Sequence, residues 1–351
     1  MFVPRIWGMR SLAPLFPEKT NLPEPIGEVW LTGVDCKVAS GPFAGKTLGE
    51  AWREMPADWR GTRFTEPGDF PILVKFIFPN DKLSIQVHPD DAYAAAHEQA
   101  AGGRGKTEMW HVISAKPGAS LLLGLKLGVT KKYFLKALEN HTLEDLFQCH
   151  AAQAGDTYFV PARTPHTIGT GMVICEVQEY SDITYRVYDY GRVDANGKPR
   201  ELHIEKALAV MNFKSDRIAK TNPLTIKHDY MGLAMMDRGV SILAACEYFA
   251  TVKWEISKTL QTLSDPEGFR LLIVLSGAGQ IVWESGDAAY HTGECWFVAA
   301  SLGSYSMLPR NPTEYIETFV PYLPSFLKEL EGQGFGKDKI SKAVFVEDRS
   351  S

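Results

Sequence analysis

The segment at residues 83–89 limits what this chain can be more than any other stretch of its sequence. Read as a strand, it alternates apolar residues with Ser84, Gln86 and His88, which therefore share one face. An ordinary half-buried strand turns such a polar face to water. Here the face carries an amide oxygen and an imidazole two residues apart, and Pro89 ends the strand just beyond. We therefore expect a strand that supplies two ligands to one metal ion.

Two later segments offer ligands of the same kind. Glu108 begins a segment that reads as a strand, and His166 follows Pro161 and Pro165, which stiffen a strand end. Glutamine, histidine and carboxylate side chains that converge from three strands form a mixed nitrogen and oxygen metal site. We predict such a site, and its four ligands are Gln86, His88, Glu108 and His166.

The remaining histidines lie in helical segments or near turns, where a lone histidine usually forms an ordinary hydrogen bond. His111 is a stronger candidate for the metal site than these histidines, because it follows Trp110 on the strand that Glu108 begins. We expect it to lie behind the metal ligands at most.

Composition bounds the class of protein. With 351 residues, the chain is long enough for one large domain or two modest ones. It is 45% hydrophobic and 23% charged, as globular proteins usually are. The net charge is −5 and no basic block stands out, which argues against nucleic acid as a partner. A small anionic substrate needs only a few local cations.

The cysteines and the N-terminus predict a cytoplasmic protein. Five cysteines are scattered without a CxxC pair, which favours reduced thiols over a disulfide framework. The first residues lack a basic start followed by an apolar run, so we expect no signal peptide. No apolar run approaches the length of a membrane span, and no membrane partner is expected.

Apolar periodicity and turn residues predict mostly strands with a few helices. Predicted strands cover residues 72–78, 108–114, 120–125, 157–160 and 173–177, and a second strand-rich region runs from about 241 to 320. Predicted helices cover residues 47–55, 89–96, 130–148, 203–213 and 323–330. Residues 332–351 read as a polar, loosely ordered tail.

An internal repeat indicates two related barrels. Residues 155–162 align with residues 293–300, and the same register places His166 opposite Ser304. The second copy contains no strand with a Gln-x-His or His-x-His pattern. We therefore expect one barrel that binds metal and a second that has lost its ligands.

Five motifs, in this order along the chain, resemble type I mannose-6-phosphate isomerase in its short bacterial form. They are residues 86–91, 105–110, 155–161, His166 and residues 182–190, the last reading Asp-Ile-Thr-Tyr-Arg-Val-Tyr-Asp-Tyr. The resemblance extends from about residue 6 to residue 320. It implies a mainly β fold, a double cupin with a small helical insert, and one Zn ion per chain.

The resemblance also implies a division of the chain into three parts. Residues 1–235 would form the metal-binding cupin domain, with the helical segment near 130–148. Residues 236–322 would form a degenerate second cupin domain without metal, and residues 323–351 a C-terminal helix and tail. The expected assembly is a monomer or a homodimer.

The family interconverts mannose 6-phosphate and fructose 6-phosphate, which implies a sugar phosphate as substrate. By position, its metal ligands fall on Gln86, His88, Glu108 and His166. Its active-site arginine falls on Arg186, and further pocket positions fall on Lys106, Glu176, Ser84, Glu28 and Arg192.

Aldose–ketose isomerisation moves a proton between adjacent carbons through an enediol, so it needs a base within reach of a carbon proton. Glu176, Lys106 and Glu28 are all candidates for that base. Arg186 is fixed positive and suits a phosphate or an enediolate oxygen. The nitrogen and oxygen ligand set would accept Mn, Fe or Co as well as Zn.

Two other functions compete with the isomerase. A cupin oxygenase with non-haem iron usually has two histidines and one carboxylate, which leaves Gln86 and the segment around Arg186 without a role. A non-catalytic sugar-phosphate-binding cupin would not need Arg186 and Lys106, both of which this chain keeps.

Overall fold

The structure is a computed structural model, and it describes all residues except 66–67, 195, 215–219, 227–228, 231–232, 235–237 and 347–351. In this part of the chain most regular structure is strand, as predicted. No helix in it is both long and apolar enough to cross a bilayer. The predicted domain boundary between residues 235 and 236 lies outside the described residues.

The first barrel consists of two antiparallel sheets. Its strands are β1 (Phe2–Met9), β2 (Ile26–Trp30), β3 (Ile72–Ile77), β4 (Ile85–Val87), β5 (Glu108–Ala115), β6 (Ser120–Leu125), β7 (Phe147–Ala151), β8 (Thr157–Val160), β9 (His166–Ile168), β10 (Met172–Glu179) and β11 (Tyr185–Tyr188). The larger sheet has the order β1-β2-β3-β10-β5-β8, and the smaller has the order β11-β4-β9-β6-β7. The sheets meet at β8 and β7, where the Tyr158 hydroxyl donates a hydrogen bond to the Ala151 carbonyl over 3.0 Å.

The second barrel repeats this plan. Its strands are β12 (Leu224–Ile226), β13 (Asp229–Tyr230), β14 (Leu233–Ala234), β15 (Arg238–Ala245), β16 (Ala250–Ile256), β17 (Leu260–Leu263), β18 (Arg270–Ser276), β19 (Ala278–Trp283), β20 (Gly286–His291), β21 (Cys295–Val298), β22 (Ser304–Pro309) and β23 (Thr313–Phe319). One sheet has the order β12-β15-β16-β23-β18-β21, and the other has the order β17-β22-β19-β20. The pair β13-β14 stands apart.

The strand order confirms the predicted repeat. β8 and β21, which carry the aligned sequences, occupy the same end position in the two large sheets. Glu108 pairs with Val160 in the first sheet, and Arg270 pairs with Val298 in the second. Because the repeat aligns Val160 with Val298, the position that corresponds to Glu108 holds an arginine in the second barrel.

The helices lie at the ends and outer faces of the barrels. They are α1 (Leu48–Glu54), α2 (Ala57–Arg60), α3 (Asp91–His97), α4 (Lys131–Glu139), α5 (Ile204–Val210), α6 (Leu323–Gly332) and α7 (Lys337–Ile340). α1 begins at the predicted capping box, in which Thr47 and Glu50 satisfy each other's backbone N–H groups. Asp90 caps α3 by accepting a hydrogen bond from the Tyr93 backbone over 2.9 Å.

Two predictions were wrong in part. The helix predicted over 130–148 ends at Glu139, and after a 3₁₀ turn at Leu143–Leu146 the chain forms β7. The tail predicted as loosely ordered contains α7, and Val344 is buried and forms a parallel bridge with Ala245. Residues 347–351 of that tail lie outside the described part of the chain.

Packing determines which side chains face the site. Val74 and Phe76 of β3 and Val177 of β10 join one core with Leu271 and Ile273 of the second barrel. The large sheets of the two barrels therefore pack against each other through these outer faces. Since strand side chains alternate, the residues between them face the inside of the first barrel.

The small sheet is oriented in the same way. Ile85, Val87 and Tyr185 form a core with Phe134 of α4 and Ala207 of α5 on the outer face of this sheet. The alternating residues on β4 and β11 are consequently directed into the barrel.

Candidate active site

Three strands bring the predicted metal ligands together. Gln86 on β4 pairs directly with His166 on β9, so their side chains share the inner face. His166 Nε2 lies 3.4 Å from Glu108 Oε1, and His88 Nε2 lies 3.9 Å from the same oxygen. His88, Glu108 and His166 are buried, and their potential ligand atoms lie within 4.8 Å of one another. Among the described residues, they form the one such group of histidine, cysteine or carboxylate side chains.

Each histidine is oriented by a backbone carbonyl. His88 Nδ1 lies 2.7 Å from the Ile183 oxygen, and His166 Nδ1 lies 2.9 Å from the Thr164 oxygen. A carbonyl only accepts, so Nδ1 carries the proton in both rings and Nε2 presents a lone pair to Glu108. Metal-binding histidines in proteins are commonly oriented in this way.

Burial keeps both imidazoles neutral. It lowers the pKa of His88 well below its usual range, with a further contribution from the charge of Lys106. It lowers the pKa of His166 to about 4. Both rings are therefore neutral at neutral pH, with Nε2 free of a proton, as metal-binding histidines must be.

Glu108 shows that these residues fit a cation. Its carboxylate is fully buried, and Oε1, which faces the two histidine nitrogens, has no hydrogen-bond partner. Lys106 Nζ lies 2.8 Å from Oε2 and offsets part of the charge. A buried carboxylate oxygen without a hydrogen bond is costly, and a divalent ion between Glu108 and the two Nε2 atoms would satisfy it.

Gln86 needs its amide group turned to act as a ligand. Its Nε2 lies 3.3 Å from His166 Nε2, and the Ser84 hydroxyl donates to its Oε1 over 3.2 Å. The oxygen and nitrogen of an amide have nearly the same shape, so a flip exchanges them without a change in packing. Ser84 is buried beside this amide.

Glu176 occupies the middle of the large sheet next to the ligands. It pairs with Lys75 on β3 and with Trp110 on β5, and all three face the inside of the barrel. Trp110 Nε1 donates to Glu176 Oε2 over 3.0 Å, and Lys75 Nζ lies 3.9 Å from Oε1. Burial raises the pKa of Glu176, and the charge of Lys106 opposes this shift.

Sequence reasoning missed Lys75. It is only 3% exposed, and its Nζ contacts Asp182 over 2.9 Å and lies 4.3 Å from the centre of the Trp30 ring. The signal was the strand parity, because a lysine in the middle of an otherwise apolar run faces opposite to Val74 and Phe76. A buried lysine on the inner face is a candidate for binding an anionic substrate.

The two other candidate bases are already engaged. Burial alone would lower the pKa of Lys106, but the charges of Glu108, Glu176 and Asp182 raise it, so Lys106 is a cation. Glu28 accepts hydrogen bonds from Trp30 Nε1 and from Arg5.

Arg186 lies beside the ligands at the rim. It pairs with Gln86 across β11 and β4, which places it on the same inner face. Its Nη1 donates to the Glu201 carbonyl over 2.9 Å, whereas its buried Nε has no hydrogen-bond partner. Arg186 therefore retains a donor for a ligand.

Arg192 lies farther out and is occupied. It contacts Asp189 over 2.6 Å and Asp81 over 3.3 Å, and it also donates to the Lys82 carbonyl. His111 lies on the opposite face of β5 from Trp110 and contacts Thr157 over 3.0 Å.

Two family models match this chain. Residues 4–110 match the catalytic domain of type I phosphomannose isomerase, and residues 240–308 match the cupin domain of mannose-6-phosphate isomerase. The mannose-6-phosphate isomerase ManA of Bacillus subtilis is 33% identical over 316 residues, which cover 88% of this chain and 93% of ManA. The chain belongs to the type I phosphomannose isomerase family. It is therefore an isomerase, as the motifs predicted.

Other relatives agree. The mannose-6-phosphate isomerase of Streptococcus mutans is 34% identical over 283 residues, covering 79% of this chain and 83% of that protein. The crystal structure of the Bacillus subtilis enzyme aligns with a TM-score of 0.79 at 29% identity, covering 91% of this chain and 98% of that one. A phosphomannose isomerase structure from Salmonella typhimurium, at 15% identity and a TM-score of 0.64, supports the fold. The predicted mainly β double-cupin fold with a small helical insert is confirmed.

Proposed function

We propose that this chain interconverts mannose 6-phosphate and fructose 6-phosphate through an enediol, in a reaction that requires one Zn ion. The observation that carries the proposal is the buried carboxylate of Glu108, whose Oε1 faces two neutral histidines and has no hydrogen-bond partner. The curated relatives named mannose-6-phosphate isomerase support the choice of substrate.

Gln86, His88, Glu108 and His166 would hold the metal. When bound, the ion acts as a Lewis acid that stabilises negative charge on the sugar oxygens. Because this chemistry needs no redox change, Zn would suit it.

Glu176 is the base that the geometry favours. Its Oε1 receives no hydrogen bond from Trp110, and it lies inside the barrel next to the metal ligands. Lys106 is held as a cation and therefore cannot accept a proton. Burial raises the pKa of Glu28, but the charges of Lys75 and Arg5 outweigh burial and lower that pKa, so Glu28 is a weaker base. Glu176 would take a proton from one carbon of the sugar, exchange it in part with solvent, and deliver a proton to the next carbon.

Cations around Glu176 would bind and orient the substrate. Lys75 Nζ lies 3.9 Å from Glu176 Oε1, the charge of Lys106 also acts on Glu176, and either lysine could hold an oxygen of the sugar near the proton acceptor. Arg186 would hold the phosphate at the rim, with Ser84 fixing the Gln86 amide.

Isomerisation in D₂O tests the reaction and its mechanism together. Proton transfer through an enediol is expected to place solvent deuterium at C1 of fructose 6-phosphate, which NMR detects. Product formation without any deuterium, even after many turnovers, would contradict an enediol whose transferred proton exchanges with solvent. Oxygen uptake without isomerisation would instead support the cupin oxygenase.

The proposed function also assigns a role to each of the three predicted parts of the chain. We infer that residues 1–235 hold the metal and the substrate, while residues 236–322 form the barrel without metal and residues 323–351 the C-terminal part. Arg270 at the place of Glu108 supports this assignment, because a buried guanidinium repels a cation. The cytoplasmic location and the monomeric or homodimeric state stay predictions.

A further inference from the structure

Among the described residues, the first barrel has one side on which no strand pairing joins its two sheets. β8 and β7 meet at the closed side, so the end strands of the other side are β1 and β11. Arg5 lies on β1 and Arg186 lies on β11, so each of these two strands contributes an arginine to the opening. Arg5 shares a face with Trp7, which is buried in the core of the first barrel.

Arg5 is held in place by a carboxylate. Its Nε and Nη2 donate to the two oxygens of Glu28 over 3.1 and 3.0 Å, a bidentate arrangement that fixes the guanidinium plane. Trp30 Nε1 donates to the same carboxylate over 2.6 Å. The Arg5 side chain is still about a third exposed, and its Nη1 makes only a long contact of 3.5 Å to the Pro4 carbonyl. Nη1 is thus the part of Arg5 left for a ligand.

The opening concentrates positive charge. The charge of Arg5 acts on Asp182 and on Arg186, which places it within electrostatic reach of both. Arg200 and Arg192 also act on Arg186, although Asp189 is bound to both of them. Like charges repel each other, and a dianion bound between the arginines would offset that repulsion.

We propose that Arg5, oriented by Glu28, binds the phosphate group of the substrate together with Arg186. This inference rests on the proposed function, since it assigns the phosphate of that sugar phosphate to the opening between β1 and β11. Arginine suits the task because its planar group can bind Glu28 along one edge and a phosphate oxygen with Nη1. Glu28 is then a positioning residue rather than the base.

Inorganic phosphate binding to the metal-loaded protein tests Arg5 without relying on turnover. Isothermal titration calorimetry is expected to show about tenfold weaker phosphate binding for Arg5→Gln, the loss of one charge-assisted hydrogen bond. Arg5→Lys should recover part of the affinity, and Glu28→Gln should weaken binding because it releases the arginine. Arg53→Gln, which removes an exposed arginine from α1, is the matched control.

Kinetics supply the second readout. For mannose 6-phosphate, Arg5→Gln should raise KM about tenfold and change kcat less than threefold, with metal content unchanged. Unchanged phosphate affinity and unchanged KM in Arg5→Gln would overturn the role of Arg5 while leaving the isomerase intact. If the wild-type protein fails to isomerise, the proposed function fails, and the phosphate titrations still decide whether Arg5 binds phosphate.

Discussion

His88 and Glu108 test the metal site at the scale of single residues. His88→Ala or Glu108→Ala leaves the ligand set incomplete, so we expect loss of bound metal and of isomerase activity together. Metal analysis by mass spectrometry and a coupled isomerase assay measure the two effects. His97→Ala, on the exposed side of α3, is the control and should keep both. A metal-free His88 variant that still isomerises would end this account of the site.

A variant of Glu176 tests the chemical step separately from metal binding. Glu176→Gln keeps the shape of the side chain and its contact with Trp110, so the metal should stay while kcat falls at least 100-fold. Near wild-type kcat in this variant would return the base to Lys106 or Glu28.

Arg186→Ala should also keep the metal, because Arg186 is a neighbour of Gln86 and not a ligand. We expect it to lose most of its rate, about 10- to 100-fold in kcat/KM, through weaker substrate binding. The same coupled assay and metal analysis apply, and wild-type kinetics would assign Arg186 a purely structural role.

The site was predictable from sequence where two ligands share one strand or one motif. Gln86 and His88 stand out because their spacing gives them one face, and the order of motifs supplied Glu108 and His166. The roles of Glu28 and Arg192 depend on contacts made through space, with Arg5 and Asp189, which no local pattern reveals. Lys75 is the opposite case, since strand parity alone could have indicated it.

At the scale of elements, the prediction over residues 130–148 failed for a physical reason. Apolar residues continue at helical spacing after Glu139, but His141 adopts a positive φ of 56° and the helix has already ended. Residues beyond the 3₁₀ turn pair with β6 instead, so tertiary contacts override the local periodicity. The helix at α1 was predictable because its capping box is entirely local.

The junction of β10, α3 and the second barrel contains a proton-dependent contact. Glu179, 5% exposed, lies against Asp91, and the Tyr248 hydroxyl donates to Asp91 over 2.8 Å. Burial, and then the hydrogen bond and charge of Asp91, raise the pKa of Glu179 from 4.5 to about 10. Glu179 is therefore protonated in the folded chain at neutral pH and ionised in the unfolded one.

This difference makes stability fall as pH rises. Between the unfolded and folded pKa values of Glu179, the folded state holds one more proton than the unfolded state. The free energy of unfolding therefore falls by about 1.4 kcal/mol for each pH unit across that range. Glu179→Gln removes the dependence, so the variant should gain thermal stability over wild type, by more at pH 8 than at pH 6. Melting curves at several pH values measure the gap, and a gap that does not change with pH would refute the raised pKa.

The C-terminal segment provides a second test at this scale. Phe345 stacks on Phe159 with ring centres 4.0 Å apart, and its backbone N–H donates to Ala245 over 2.8 Å. The segment thus joins the first barrel to the second. Phe345→Ala should lower the free energy of unfolding by about 1–2 kcal/mol, measured by denaturant titration, with metal content unchanged. Unchanged stability would make this contact incidental.

At the scale of the whole molecule, two barrels of one plan have different interiors. The first barrel keeps Glu108 facing two histidines, whereas the second has Arg270 in the corresponding position, paired with Asp265 over 2.7 Å. The sequence repeat predicted the duplication and the missing ligands. It did not predict how the barrels pack, because that depends on outer faces such as Val74 and Leu271 that read as ordinary apolar strands.

The most direct test of the central claim is a zinc titration of metal-stripped protein, with bound metal and the rate of mannose 6-phosphate isomerisation measured on the same samples. We predict that the rate rises in proportion to bound zinc and reaches its limit at one ion per chain. Full activity in the stripped protein, or one bound ion per chain without any isomerisation, would contradict it.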